Sequence, residues 1–240
     1  MWDLKGRRAL VSGGGTGIGL ACARALTGAG AHVTVLGRRE APLRAAVAAG
    51  AAREALVGDA CAPPDLPDSA ILVNAAGGAL AAPFLRTDDA GFRAALDANL
   101  MSAVTLARLL LPGMLGAGFG RVVNVASTAA LKGYAYVVPY VAAKHALLGF
   151  TRALALEVAA KGVTVNAVCP GYTETPLLEA SVARIEAATG RDAAAARAGL
   201  AGNNPQGRLF SPEEIADAVL FLCHAPGVNG AALSLSGGEV

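Results

Sequence analysis

Charge and aromatic rings are scarce in this 240-residue chain: 16% of residues are charged and 5% aromatic. A net charge of +2 is too small to leave a basic footprint for nucleic acid. The four cysteines, Cys22, Cys61, Cys169 and Cys223, include no C-x-x-C pair. That argues against zinc or a disulfide framework and fits reduced, buried thiols in a cytoplasmic protein. His32, His145 and His224 lack metal-ligand spacing and H-E-x-x-H is absent, so no metal is expected. The lysine-bearing phosphate loop G-x-x-x-x-G-K-[ST] is also missing, which argues against an ATPase or GTPase. Asn, Gly or Pro interrupts every apolar run before it could span a bilayer. The polar start, Met1 to Arg7, does not read as a signal peptide. No repeat or linker is evident.

What the chain has in quantity is apolar side chains, 54% of residues, and 30 glycines. That is enough for one large core, so residues 1–240 are read as a single domain. Apolar runs near 7–12, 32–36, 54–57, 70–74, 121–126, 163–168 and 231–235 read as strands buried on both faces. They alternate with helical patterns near 17–28, 40–49, 88–110, 138–161 and 211–224. This alternation predicts an α/β fold: a doubly wound parallel sheet of about seven strands with helices on both faces. Ser211-Pro212-Glu213-Glu214 predicts a helix start, with a cap, a proline and acids in the first turn. Between Asp59 and Ile71, Pro63, Pro64 and Pro67 leave no room for a crossover helix, so an irregular crossing is expected. The stretch 176–208 reads as a mobile helical lid over a substrate, or as a plain surface helical hairpin.

The strand Arg8–Ser12 runs into Gly13-Gly14-Gly15-Thr16-Gly17-Ile18-Gly19 and then the apolar helix from Leu20. Strand, glycine turn and helix in that order aim free N–H groups and a positive helix end at an anion. Gly13 permits the turn, Gly17 lets a pyrophosphate approach and Gly19 allows close packing of helix on strand. Downstream, Ser127 is followed thirteen and seventeen residues later by Tyr140 and Lys144. Residues four apart share a helix face. An ammonium beside a phenol favours phenolate, and a serine hydroxyl can hold the oxygen that the tyrosine protonates. Alone, the pair is equally a solvated lysine one turn after a packed tyrosine.

Taken together, these motifs resemble the short-chain dehydrogenase/reductase family over nearly the whole chain. Ser12-Gly13-Gly14-Gly15-Thr16-Gly17-Ile18-Gly19 is similar to its T-G-x-x-x-G-I-G turn. Asn74-Ala75-Ala76-Gly77 is similar to N-N-A-G. Asn99, Ser127, Tyr140 and Lys144 match its catalytic tetrad, and Pro170-Gly171 with Thr173 and Thr175 resembles its nicotinamide loop. The resemblance implies an oxidoreductase with Tyr140 as general acid and base, and with Lys144 depressing the tyrosine pKa and binding ribose. Ser127 would hold the carbonyl and Asn99 a relay water. Thr173 and Thr175 would hold the carboxamide, and Asp59 the adenine amine or nothing but solvent.

The second strand ends in Gly37-Arg38-Arg39, where an NAD site would carry an acid. A guanidinium there suits a 2′-phosphate, so NADP(H) is favoured over NAD(H), unless Arg38 and Arg39 are merely solvated. Ala129, Leu131, Tyr134, Tyr136, Tyr172, Leu177 and Leu178 are candidate substrate contacts, mostly apolar. The segments 133–140 and 236–240 look like those of 3-oxoacyl thioester reductases and hydroxyacyl-CoA dehydrogenases. Arg184, Arg191, Arg197 or Arg208 could then meet thioester phosphates. The alternatives are a secondary-alcohol, polyketide or hydroxysteroid ketone reductase, and a non-catalytic dinucleotide sensor. Relatives commonly form tetramers through helices near 100–118 and 138–160. Here Ala142, Ala143, Ala146, Ala153 and Ala155 would line that surface or pack on the sheet.

Overall fold

The computed structural model describes residues 4–240. Met1, Trp2 and Asp3 of the polar start lie outside the described residues. Among those described, seven strands form one parallel sheet: β1 (Arg8–Ser12), β2 (His32–Gly37), β3 (Glu54–Val57), β4 (Ile71–Asn74), β5 (Gly120–Val125), β6 (Val163–Pro170) and β7 (Ala232–Leu235). Their order is β3-β2-β1-β4-β5-β6-β7. The chain winds outward from β1 to β3 and then returns to the other side of β1. The crevice at the carboxyl ends of β1 and β4 is therefore the topological switch point, where open α/β sheets take ligands. Register brings Ser12 level with Asn74, and Asn74 level with Asn124.

Two layers of helix cover the sheet. On one face, α1 (Gly17–Gly28) and α2 (Glu40–Ala48) join α8 (Pro212–His224). Cys22 and Leu26 of α1 meet Ile215, Val219 and Leu222 of α8 in one buried cluster. On the other face lie α4 (Ser102–Ala117) and α5 (Val138–Val158), where Leu106, Leu110, Met114 and Val158 pack on Leu72, Val122 and Val165. Each such large aliphatic side chain contributes about 1.5–3 kcal/mol when fully buried. β5 and β6 are buried along their whole lengths, as their valine-rich runs require.

Two expectations about the middle of the chain need correction. Helix was expected to stop near 110, because Pro112 lacks an N–H and Gly113 follows. Instead α3 (Asp89–Leu96), a π turn (Asp97–Met101) and α4 form one helical run to Ala117. Burial of Leu110 and Met114 holds the last turns across the proline, and Gly118, left-handed at φ 63°, ends them. A Cβ on Gly120 would lie 2.7 Å from Met114, so the strand is shaped to that side chain. Asn99, Pro112 and Gly113 therefore do not interrupt the run, and Asp89–Ala117 is long and apolar enough to cross a membrane by length and composition. In the fold it packs against β4, β5 and α5.

The connection after β3 is irregular, as the prolines require. Asp59 and Ala62 form an isolated bridge and no helix intervenes before Ile71. The stretch 176–208 forms α6 (Pro176–Thr189) and α7 (Ala193–Ala201), which share a small core of Leu178, Val182, Ala196 and Leu200. On α5, Ala143 and Ala155 are buried while Ala153 is exposed, so the alanines divide between core and surface.

Candidate active site

A cleft of 790 Å³ opens along the carboxyl ends of β1, β4 and β5. Its lining includes Gly13, Gly15, Thr16, Gly17, Ile18 and Gly19, then Arg38, Arg39 and Asp59, then Ala75, Ala76, Gly77 and Asn99, and finally Tyr140, Lys144 and Thr175.

The glycine turn is fixed by close backbone approach. A Cβ on Gly19 would come 2.3 Å from the Gly13 carbonyl oxygen, and one on Gly13 would come 2.8 Å from the Ala75 carbonyl oxygen. Thr16 caps α1 without any side-chain hydrogen bond, and the first turn carries no acid. In contrast, the caps Thr175, Asp192 and Ser211 of α6, α7 and α8 each accept from their own helix. The amides of α1 are thus left for an external acceptor, at the positive end of the helix. A dinucleotide pyrophosphate fits this cradle.

Ser12 has its own task. Its hydroxyl accepts from Ala76 N at 3.2 Å, tying the glycine turn to the loop after β4. Asn74 points into the sheet, donating to Asn124 Oδ1 at 2.8 Å, and Asn124 in turn donates to Thr151. Asn99 sits in the π turn, a distortion frequent at functional sites. Its amide donates to the Gly78 and Ala95 carbonyls and accepts from Gly78 N. Both of its N–H groups are engaged, so Asn99 acts first as the fastener of the 75–78 loop.

Tyr140 and Lys144 share one face of α5, as their spacing predicts, and the Lys144 Nζ lies 5.7 Å from the centre of the Tyr140 ring. Lys144 is 4% exposed and donates to the Val125 carbonyl at 2.8 Å. Burial pushes the ammonium pKa down to about 8. The expected depression of the phenol pKa is not the resting condition. Burial raises the Tyr140 pKa, and the hydrogen bond with Ser127 lowers it only in part. Lys144 Nζ is turned to the Val125 carbonyl, and desolvation is the largest influence on the phenol.

At the nucleotide end, Arg38 and Arg39 are exposed on the cleft wall. Asp59 accepts from Cys61 N at 2.9 Å with one oxygen. Cys61, which the motifs did not single out, lines the same wall. Pro170 ends β6, and Gly171 N bonds Leu235 O. Thr173 is buried and donates to the Gly171 carbonyl; Thr175 donates to Thr173 O and caps α6. Methyl carbon Cγ2 of Thr175 lies 3.1 Å from where a Gly17 Cβ would sit, which brings the start of the lid onto the glycine turn.

The substrate candidates are spread more widely. Leu177 and Ala180 of α6 line the cleft, whereas Leu178 is buried inside the lid. Ala129 is buried and Leu131 packs on the cluster around Leu147. Tyr134 and Tyr172 meet edge to face, with ring centres 6.4 Å apart. Tyr136 is largely exposed with a left-handed backbone, φ 66°, and its carbonyl accepts from Ala82 N. Arg197 pairs with Glu174 and Glu179, and Arg208 with Glu214.

Comparison with known proteins decides the family. A family model described as enoyl-(acyl carrier protein) reductase matches residues 13–239. The chain belongs to the short-chain dehydrogenase/reductase family. It is 36% identical to the D-beta-hydroxybutyrate dehydrogenase of Cupriavidus necator, covering 99% of both proteins. It is also 36% identical to the acetoacetyl-CoA reductase of Shinella zoogloeoides, covering 97% of this chain and 98% of that protein. An actinorhodin polyketide ketoreductase solved with NADPH superposes with a TM-score of 0.91 at 31% identity, over 98% of this chain and 97% of that one. A parallel seven-stranded sheet, a cleft at its switch point and a tyrosine–lysine pair on one helix face are thus the architecture of a dehydrogenase/reductase acting between hydroxyl and carbonyl groups.

Proposed function

We propose that this short-chain reductase converts a 3-oxoacyl thioester to the 3-hydroxyacyl thioester with NADP(H). The observation that carries the reading is the Tyr140 phenol beside Ser127, on one helix face with Lys144, at one end of a cleft whose other end carries Arg38 and Arg39. The glycine turn, the amides of α1 and the two arginines would hold the dinucleotide, with Asp59 available to the adenine amine and Thr173 and Thr175 to the carboxamide. When bound, the nicotinamide supplies the hydride. Ser127 orients the substrate carbonyl by a hydrogen bond. Tyr140 gives its O–H proton to the carbonyl oxygen as that oxygen gains charge. The Lys144 ammonium then stabilises the phenolate left behind, and Asn99 keeps the adjoining loop in place.

The relatives named for acetoacetyl-CoA and for polyketide chains support an acyl substrate, as does the apolar lining from Leu177 and Ala180. Two of the four lid arginines are already committed to carboxylates. Phosphate contacts to a thioester therefore fall to Arg184 and Arg191, whose guanidinium groups make no ion pair among the described residues. That commitment favours a second reading, an unesterified 3-oxo acid or ketone. α6 and α7 serve as the lid in either case. The protein works in the cytoplasm, as a homotetramer joined through α4 and α5, where Leu109, Leu115 and Leu156 stand exposed.

The deciding experiment follows NADPH and NADH oxidation with acetoacetyl-CoA, longer 3-oxoacyl thioesters, acetoacetate, and cyclic or aryl ketones. Turnover confined to thioesters with NADPH is expected. Turnover of acetoacetate or free ketones alone would replace the thioester reading by the second one.

A further inference from the structure

A second cluster of titratable groups lies outside the tetrad and reaches Thr128, the neighbour of Ser127 in the chain. Glu239, in the segment after β7, has a side chain only 3% exposed. Its Oε1 accepts from the Tyr134 hydroxyl at 2.5 Å and from Lys132 Nζ at 2.9 Å. The Tyr134 oxygen is also 2.6 Å from Thr128 Oγ1. A carboxylate can only accept, so Tyr134 must donate to Glu239 and Thr128 must donate to Tyr134. Glu239 thereby sets the direction of the whole chain. Lys132 completes it, with Nζ 5.0 Å from the centre of the Tyr134 ring.

This chain ends on groups that shape the substrate space. Thr128 follows Ser127 directly, in the short 3-10 turn Thr128–Ala130. Tyr134 packs edge to face on Tyr172, at 81° between ring planes. Burial is the main cause that raises the pKa of Tyr140 and of Tyr172; Tyr172 adds to the first and Glu239 to the second. The other carboxylate oxygen, Oε2, is buried with no hydrogen-bond partner and lies 3.6 Å from where a Gly171 Cβ would sit. A buried polar atom left bare is costly to the fold. A carboxylate kept at that cost, hydrogen-bonded to the tyrosine whose ring packs on Tyr172, is poorly explained by stability alone.

The structure assigns Glu239 as a positioning residue that, through Lys132 and Tyr134, fixes the Tyr172 wall and the 127–137 loop against the bound carbonyl substrate. The assignment rests on the carbonyl-reductase reading above. It differs from that reading in predicting where the loss falls when the contact is removed: on substrate binding, with nucleotide binding spared.

The test uses Glu239→Ala in the NADPH complex, with Glu239→Gln and Lys132→Met beside it. For whichever carbonyl the parent reduces fastest, Glu239→Ala is expected to raise KM about tenfold, with kcat changed less than about threefold. The Kd for NADPH stays within about twofold and amide exchange across 128–137 accelerates. Glu239→Gln keeps an acceptor for Tyr134 but loses the Lys132 pair, so it and Lys132→Met should give smaller effects that do not add in the double variant. If Glu239→Ala fails to fold, the Gln variant and Tyr134→Phe carry the same readouts. Parent values of KM and of exchange in the variants would overturn the assignment. So would a lowered Tm with the balance of KM and kcat unmoved, which is the mark of a structural role. Reduction of ketones but no thioester would remove the substrate reading while leaving Glu239 to be judged on the ketone. Should the parent reduce nothing in the panel, the carbonyl-reductase reading falls, and unchanged exchange across 128–137 would then overturn the clasp as well.

Discussion

The two ends of the cleft are built by different means. The nucleotide end is backbone: a glycine turn, uncapped amides at the start of α1, and a loop held by Ser12 and Asn99. Little space there is spare, and several positions tolerate no Cβ without moving a neighbour's backbone. The substrate end is side chain: a lid with its own four-residue core, helices capped by Thr175, Asp192 and Ser211, ion pairs around Arg197 and Arg208, and the Glu239 chain. The pyrophosphate is common to NAD and NADP, so backbone donors can serve it whatever the side chains do, and only the 2′ group is left to Arg38 and Arg39. A substrate varies, and side chains are what single substitutions can change.

The largest break of this comparison is chemical. Tyr140→Phe removes the proton donor where the two ends meet and leaves both walls intact. Turnover should fall about 10²–10⁴-fold while NADPH binds as before, read by steady-state rates and by nucleotide fluorescence titration. Loss of turnover with intact binding marks an enzyme. Turnover near the parent's would refute the mechanism and open the way to a dinucleotide sensor.

Next comes the contrast between glycines. Gly19→Ala places a methyl 2.3 Å from the Gly13 carbonyl oxygen, so the phosphate cradle must deform. NADPH affinity should fall at least about tenfold, with a loss of stability in the range of about 1–3 kcal/mol typical of overpacking. Gly199, inside α7 of the lid, has nothing within 4 Å of an added Cβ. Gly199→Ala should instead stabilise by about 0.5–1 kcal/mol through helix propensity, raising Tm by about 1–4 °C. Equal responses from the two would erase the distinction between the ends.

The same contrast explains what could be read from the chain itself. Gly13 to Gly19, Ser127, Tyr140 and Lys144 are legible because backbone geometry and helix spacing act within a few residues, and the sheet is legible because β5 and β6 are buried on both faces. The run past Pro112 was not, because burial of Met114 against Gly120 is a tertiary contact that overrides a local breaker. The phenol pKa was not, because spacing places a lysine on the right helix face but does not say that Nζ turns to the Val125 carbonyl. Leu177 and Leu178 were separable only once α7 supplied the partner that Leu178 buries against. Glu239 carries no local signal at all, since its partners lie more than 100 residues away.

The smallest effect concerns α8, whose start is built by side chains where α1's is not. Ser211 and Glu214 form a capping box, and Arg208 holds the Glu214 carboxyl at a pKa of about 2, below its ordinary 4.5. A carboxylate depressed in the folded state adds stability that is present above pH 4.5 and is lost as pH falls toward 2. Glu214→Gln keeps an acceptor for Ser211 N and removes only the charge. Because the pair is exposed, its removal should have only a small effect at pH 7. Urea unfolding should show the parent and Glu214→Gln curves converging as the buffer is taken from pH 7 to pH 3. A gap that widened on acidification would mean that Glu214 gains nothing from Arg208 and that the start of α8 relies on its cap alone.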